Sequence, residues 1–121
     1  MLARDGRNFE LRHRQNWPLI GLGWAAYKQN NFNGAATYLN EALVNLDRLA
    51  VEYPDDRQVS LSQVRTGVML AMTFRDSGNP KWADARQKAG AVAKRAARSG
   101  EDAGSERIKE MLAKFDRETG K

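Results

Sequence analysis

Apolar residues recur at three- and four-residue intervals in five stretches of this chain, and Asn, Gly, Pro or Asp separates each stretch from the next. That spacing puts side chains on one face of a helix, whereas a half-buried strand alternates strictly. The chain is therefore expected to be all-α. Residues 17–29 carry Leu22, Gly23 and Ala26 on one stripe and Ile20, Trp24 and Tyr27 on a second, with no charged side chain between Trp17 and Tyr27. A helix apolar on two faces is normally covered on two sides, so something is expected to lie against the Trp24 face.

The other stretches read in the same way. Residues 33–52 turn Ala35, Leu39, Ala42, Leu43, Leu46 and Leu49 inward and Asn40, Glu41, Asn45, Asp47 and Arg48 outward. Between 57 and 76, Leu61, Val64, Leu70, Ala71 and Phe74 form the inner face, with Val68 and Met72 on a neighbouring stripe. Trp82, Ala85, Ala89 and Val92 do so for 80–98, and Ile108, Met111, Leu112 and Phe115 for 105–119, where Lys109, Glu110, Lys114 and Asp116 face water. Asn30 is suited to a left-handed turn, and Asn31, Asp55–Asp56, Asn79 and Ser105 are placed to begin helices. Residues 99–104 read as a turn. Residues 1–16, with Phe9 and Leu11, are a polar lead-in that would begin the first helix. Pro18 interrupts it, giving either a kink near Asn16–Trp17 or a fresh start at Pro18 with Asn16 as cap.

The pattern repeats. Leu22 recurs as Leu70, 48 residues on, and Phe32 as Trp82, 50 residues on. The connector Asp5–Leu11 aligns with Asp55–Leu61. In each copy a Leu-small stripe is followed by a turn and by an aromatic residue ahead of spaced alanines. Gly23 and Ala35 would let the paired helices approach closely, while Leu22, Phe32 and Leu39 fill the gap. On these residues Leu19–Leu43 resembles one tetratricopeptide repeat, and Met69–Val92 a second. The chain departs from the family where Leu19 replaces the frequent tryptophan, where Tyr27 sits one position late with Ala26 in its slot, and where no proline closes a unit of about 34 residues. Its longer period is similar to long-helix variants found in larger multidomain proteins.

The resemblance implies a right-handed array of antiparallel helix hairpins in a single domain over 1–121: lead-in 1–16, repeat 17–52, repeat 57–98 and capping helix 105–119. A terminal element with a polar outer face is what such an array requires, so the C-terminus is expected to end it. At the other end, Leu2–Asp5 mirrors Leu49–Asp55, which fits either the exit from a preceding helix or a disordered tail.

Composition narrows the function classes. Cysteine is absent, so there is neither a disulfide framework nor a thiolate metal site. No apolar run reaches the roughly 20 residues needed to span a bilayer, and the charged N-terminal stretch lacks the centre of a signal peptide. A cytoplasmic location is expected. Catalysis needs an activated nucleophile or base in a cleft, and the one histidine, His13, stands between Arg12 and Arg14 as an expected surface residue. Asp55 and Asp56 read as a helix cap. The chain is expected not to be an enzyme and to need no cofactor or metal.

Two binding readings remain. In the family, the first helices of successive repeats line a groove that holds a peptide or a helix. Carried over, this groove consists of Trp17, Ile20, Trp24, Tyr27 and Lys28 from the first repeat and Arg65, Val68, Met72 and Arg75 from the second. It is apolar with a basic rim and lacks the Lys/Asn set that carboxylate-clamp members use. The expected partner is a protein or peptide, with burial of Trp24 and Tyr27 against a missing repeat or a second copy of the chain as the alternative. Nucleic acid is the weaker reading. It rests on a net charge of +5 and on the basic helix of Lys81, Arg86, Lys88, Lys94, Arg95 and Arg98, opposed by Asp84 alone. No aromatic residues interleave with those cations as a stacking platform would require.

Overall fold

The structure, a computed structural model, describes residues 6–54, 56–97 and 103–119. These fold as six helices: α1 (Gly6–Arg14), α2 (Asn16–Lys28), α3 (Phe32–Glu52), α4 (Arg57–Asp76), α5 (Trp82–Ala97) and α6 (Ala103–Glu118). No strand occurs among the described residues. None of the described helices is long and apolar enough to cross a membrane.

The turns follow from local chemistry. Asn30 takes the left-handed conformation at φ 62°, and the Asn31 side chain accepts from the Gly34 amide to cap α3. Asp56 caps α4 by accepting from the Val59 amide; Asp55 lies outside the described residues. Asn79 accepts from the Lys81 amide, so the chain turns once before α5 begins at Trp82. The start of the last helix also differs from expectation. The last helix begins at Ala103 and includes Ser105, so Ser105 is not its cap, and Gly104 belongs to the helix rather than to a turn. The rest of that turn, with Arg98, lies outside the described residues.

Pro18 breaks the helix at Gln15, one residue ahead of the Asn16–Trp17 kink expected. It occupies the first turn of α2, where its missing N–H would have been bonded to the carbonyl of Arg14, so the helix breaks at Gln15 and the lead-in becomes α1. Asn16 is not a cap. It is 1% exposed, accepts from Asn45 Nδ2 at 3.0 Å and donates to the Arg12 carbonyl at 3.4 Å.

Helices α2 and α3 run antiparallel, since Asn16 meets Asn45 at one end and Tyr27 meets Phe32 at the other. The pair touches midway, where a methyl added to Gly23 would fall 2.7 Å from Leu39 Cγ. Leu22 does not fill that gap; it is 49% exposed, because Gly23 and Ala26 turn the buried stripe one position away from it. Of the residues expected mostly outward, Asn45 is tied instead to Asn16, while Asp47 stays half-exposed and accepts from Gln63 Nε2 at 2.8 Å.

Helix α4 lies at the centre. Val64, Val68 and Ala71 pack with Ala89, Ile108 and Phe115 of α5 and α6. Its Leu70 packs with Leu39 and Leu43, and its Val59 with Leu46 and Leu49. Full burial of one such leucine stabilises by roughly 1.5–3 kcal/mol. Gly67 allows a close approach to α5, an added Cβ there lying 3.3 Å from Ala89 Cβ.

The first prediction tests the α2–α3 approach. Ala35 is 0% exposed and its carbonyl lies close to Gly23. Ala35→Leu should overpack the pair and lower the unfolding free energy by about 1–3 kcal/mol. Urea denaturation reads this as a lower midpoint, and an unchanged midpoint and slope would mean that the site has room to spare.

Candidate functional site

Helices α2, α4 and α6 run parallel along one side of the molecule. Tyr27 meets Asp76 near the C-terminal ends of α2 and α4, and Arg75 reaches Thr119 at the end of α6. Between them lies a groove of about 610 Å³. Trp17, Ile20, Gly21 and Trp24 of α2 form one wall, and Met111, Lys114, Phe115 and Glu118 of α6 the other. The floor is α4, through Ser62, Arg65, Val68, Met69 and Met72.

Of the residues expected here from sequence, Trp17, Ile20, Trp24, Arg65, Val68 and Met72 do come together. Tyr27, Lys28 and Arg75 do not line the groove but support it. The Tyr27 hydroxyl donates to the Asp76 carboxylate, and its ring stacks on Trp24 with centroids 5.2 Å apart and planes 17° from parallel. Lys28 Nζ stands 5.7 Å from the Trp24 ring centroid, a cation–π distance. Arg75 donates to Asp76 at 2.8 Å and to Thr119 at 3.1 Å, and its guanidinium lies 5.0 Å from the Phe115 ring centroid.

This cluster shifts its own protonation equilibria. Burial, then the hydrogen bond to Asp76, raises the Tyr27 hydroxyl above its ordinary value. For Asp76, burial opposes ionisation, yet hydrogen bonds from Arg75 and Tyr27 outweigh it and hold the carboxyl below its usual range. The network stays charged and intact at neutral pH, which fixes the Trp24 end of the groove.

Sequence reasoning missed the wall from α6. Its stripe of Ile108, Met111, Leu112 and Phe115 was legible, but not that α6 would lie beside α4 with Met111 and Phe115 facing Trp17 and Trp24 across the groove. Met69 was missed too. Its only signal was a place three residues before Met72 on the same helix.

His13 is also corrected. It is 8% exposed, with Nε2 3.0 Å from Ser62 Oγ and its ring edge-on to Trp17 at 6.4 Å. The flanking arginines are drawn away from it: Arg12 donates to both oxygens of Glu52 at 2.6 Å, and Arg14 pairs with Glu10 at 3.2 Å. Burial pushes the imidazole below its usual value, against the pull of Asp56 and Glu10.

The basic helix is less free than its composition implied. Arg86 grips Asp116 through Nε and Nη2, both at 2.8 Å, and Lys88 reaches Asp47 at 3.3 Å. A larger hollow, of about 740 Å³, lies between α3 and α5, and it is there that Asp47 accepts from both Gln63 and Lys88. Its charged lining and lack of large aromatic side chains other than Tyr53 make it a poorer apolar receptor than the α2–α4–α6 groove. Among the described residues, no group of three or more His, Cys, Asp or Glu is placed to hold a metal.

Compared with protein-family models, curated proteins and solved structures, the chain matches none.

Exposure separates Trp24 from Phe115, two of the three aromatic side chains of the groove. Trp24 is 37% exposed, whereas Phe115 is 1% exposed. Phe115→Ala should therefore cost about 3–5 kcal/mol of folding free energy, the toll of a core aromatic, and Trp24→Ala no more than about 2 kcal/mol. Parallel urea titrations check the ordering, and equal losses would place Trp24 in the core.

Proposed function

We propose that this chain is a non-catalytic, cytoplasmic protein-interaction module of helical-repeat type that receives an amphipathic helix in the α2–α4–α6 groove. The observation that carries the reading is the gathering of Trp17, Ile20 and Trp24 with Val68, Met69 and Met72 along one open groove, with Trp17 57% exposed. Partly exposed Trp side chains on such a surface mark interaction sites and commonly dominate binding energy. Methionines add adaptable apolar lining.

The repeat reading is supported by offset. His13 meets Ser62 and Tyr27 meets Asp76, and both pairs are 49 residues apart in sequence. That lies between the 48- and 50-residue spacings of the two sequence copies. Neighbours at a constant offset are what two stacked equivalent units produce. On this reading α2–α3 and α4–α5 are the two tetratricopeptide-like hairpins, and α6 caps them.

A helical occupant is favoured over an extended one for a physical reason. Every groove wall is an α-helix, whose backbone N–H and C=O groups are already bonded within the helix. An extended peptide would find no sheet edge to pair with and would leave its own backbone groups unmatched. A helix arrives with its backbone satisfied. Its apolar stripe would seat between Trp17, Trp24 and Met111, and acidic flanks would meet Arg65 and Lys114.

The test uses synthetic helices of about five turns with Leu and Phe at i, i+3, i+4 and i+7, flanked either by Glu or by Lys. The Glu-flanked helix should bind in preference to the Lys-flanked one. Trp24→Ala should weaken it by about 2 kcal/mol or more, and Arg65→Glu should reverse the charge preference. Absence of binding to either helix, or binding indifferent to Trp24→Ala, would sink the reading. A concentration-dependent dimer lost with Trp24→Ala would assign the groove to a second copy of the chain instead.

A further inference from the structure

The junction of α1 with α2 and α4 holds a buried titratable group that the binding groove does not use directly. His13 sits there at 8% exposure, bonded to Ser62 and edge-on to Trp17. Both of those partners line the groove. Beyond His13, α1 is fastened by the Arg12–Glu52 pair, and Arg14 stands 5.9 Å from the Trp17 ring centroid. At nine residues α1 is too short to hold helical form unaided, so its shape depends on being docked.

We propose that α1 is a pH-operated strap: with a neutral His13 it stays docked behind Trp17 and Ser62, and with a charged His13 it releases that end of the groove. The docking of α1 stands on geometry, its pH dependence on the burial of the ring, and its consequence for binding on the groove being a receptor.

Burial of His13, set against the charges around it, decides the direction. From α1 come Glu10, Arg12 and Arg14, of which Arg12 is held by Glu52 of α3 and Arg14 by Glu10. On the α4 side stand Asp56, which also caps that helix, and Arg65, one turn beyond Ser62 on the groove side, and α2 has no charged side chain before Lys28. Asp56 and Glu10 attract an imidazolium, but burial is the larger influence and disfavours it. The sign follows. A ring whose docked value is lowered binds its proton more readily once released, so docking is strongest above the ordinary imidazole value of 6.5. It weakens as pH falls from there toward the lowered docked value. Below that lower value it changes no further.

His13 is the sole histidine of the chain, so its ring resonances are unambiguous by nuclear magnetic resonance. The wild-type chain should show an imidazole midpoint below 6.5. Hydrogen exchange, corrected for its intrinsic pH dependence, should show Leu11–Gln15 losing protection by roughly fivefold or more between about pH 7.5 and about pH 5, with α4 unchanged. His13→Gln, which keeps a hydrogen-bonding group but cannot charge, should abolish that difference. A midpoint at or above 6.5, pH-independent protection in the wild type, or the same loss in His13→Gln would each overturn the strap. None of these measurements contains a peptide. A failed strap therefore leaves the helix-binding test standing, and a failed helix-binding test leaves the docking equilibrium standing.

Discussion

Burying α4 on three sides requires neighbours that come very close, and that requirement shapes the rest of the molecule. Gly67 removes the side chain where α5 approaches, and α5 answers with Ala85 and Ala89. Leu39 and Leu43 reach Leu70 from α3, while Ile108 and Phe115 reach Val64 and Val68 from α6. The cost appears in the polar residues carried inward: Thr66 is 0% exposed and its hydroxyl has no partner, whereas Thr73 returns its hydroxyl to the Met69 carbonyl. A helix so enclosed fixes where α3, α5 and α6 lie. The remaining freedom is in α2 and α1, which reach α4 through fewer groups.

Those groups are concentrated at two levels. At the C-terminal level, Asp76 accepts from Tyr27 and Arg75, and Arg75 extends to Thr119, so the ends of α2, α4 and α6 share one hydrogen-bonded network. At the N-terminal level, His13 and Ser62 join α1 to α4. A charge-assisted network of three hydrogen bonds positions its members more tightly than a single bond between neutral groups does. The upper joint is thus the stiff one, and the lower joint, made by one neutral ring and one hydroxyl, is the one that solution conditions can loosen.

Much of the helical framework was legible because it is set by neighbours in sequence. The spacing of Ala35, Leu39, Ala42 and Leu46 declares a helix face wherever the chain folds, and Asn30, Asn31 and Asp56 act on backbone groups within a few residues of themselves. Six of the nine expected groove residues meet because α2 and α4 run parallel and turn apolar side chains toward the same gap. What was not legible depended on rotation and on long-range pairing. A one-position turn of α2 exposes Leu22 and buries Gly23, and nothing in the spacing alone chooses between them. His13 between two arginines looks solvated until Glu52, 40 residues from Arg12, draws one of those arginines aside. The α6 wall was hidden for the same reason, since a stripe names the face to be buried but not the helix that buries it.

The openness of the groove follows from where α2 is pinned. Its direct link to α4 by hydrogen bonding is Tyr27 with Asp76, and the other joint, His13 with Ser62, lies before α2 on the far side of the Gln15 break. Between those levels α2 presents Gly21, where an added Cβ would meet nothing within 4 Å, flanked by Ile20 and Trp24. Two parallel helices held at their ends and small in the middle leave a gap instead of closing a seam. The apolar rings therefore remain partly in water at a cost of about 25 cal/mol for each Å², and an occupant that dries the groove recovers that free energy without deforming the fold.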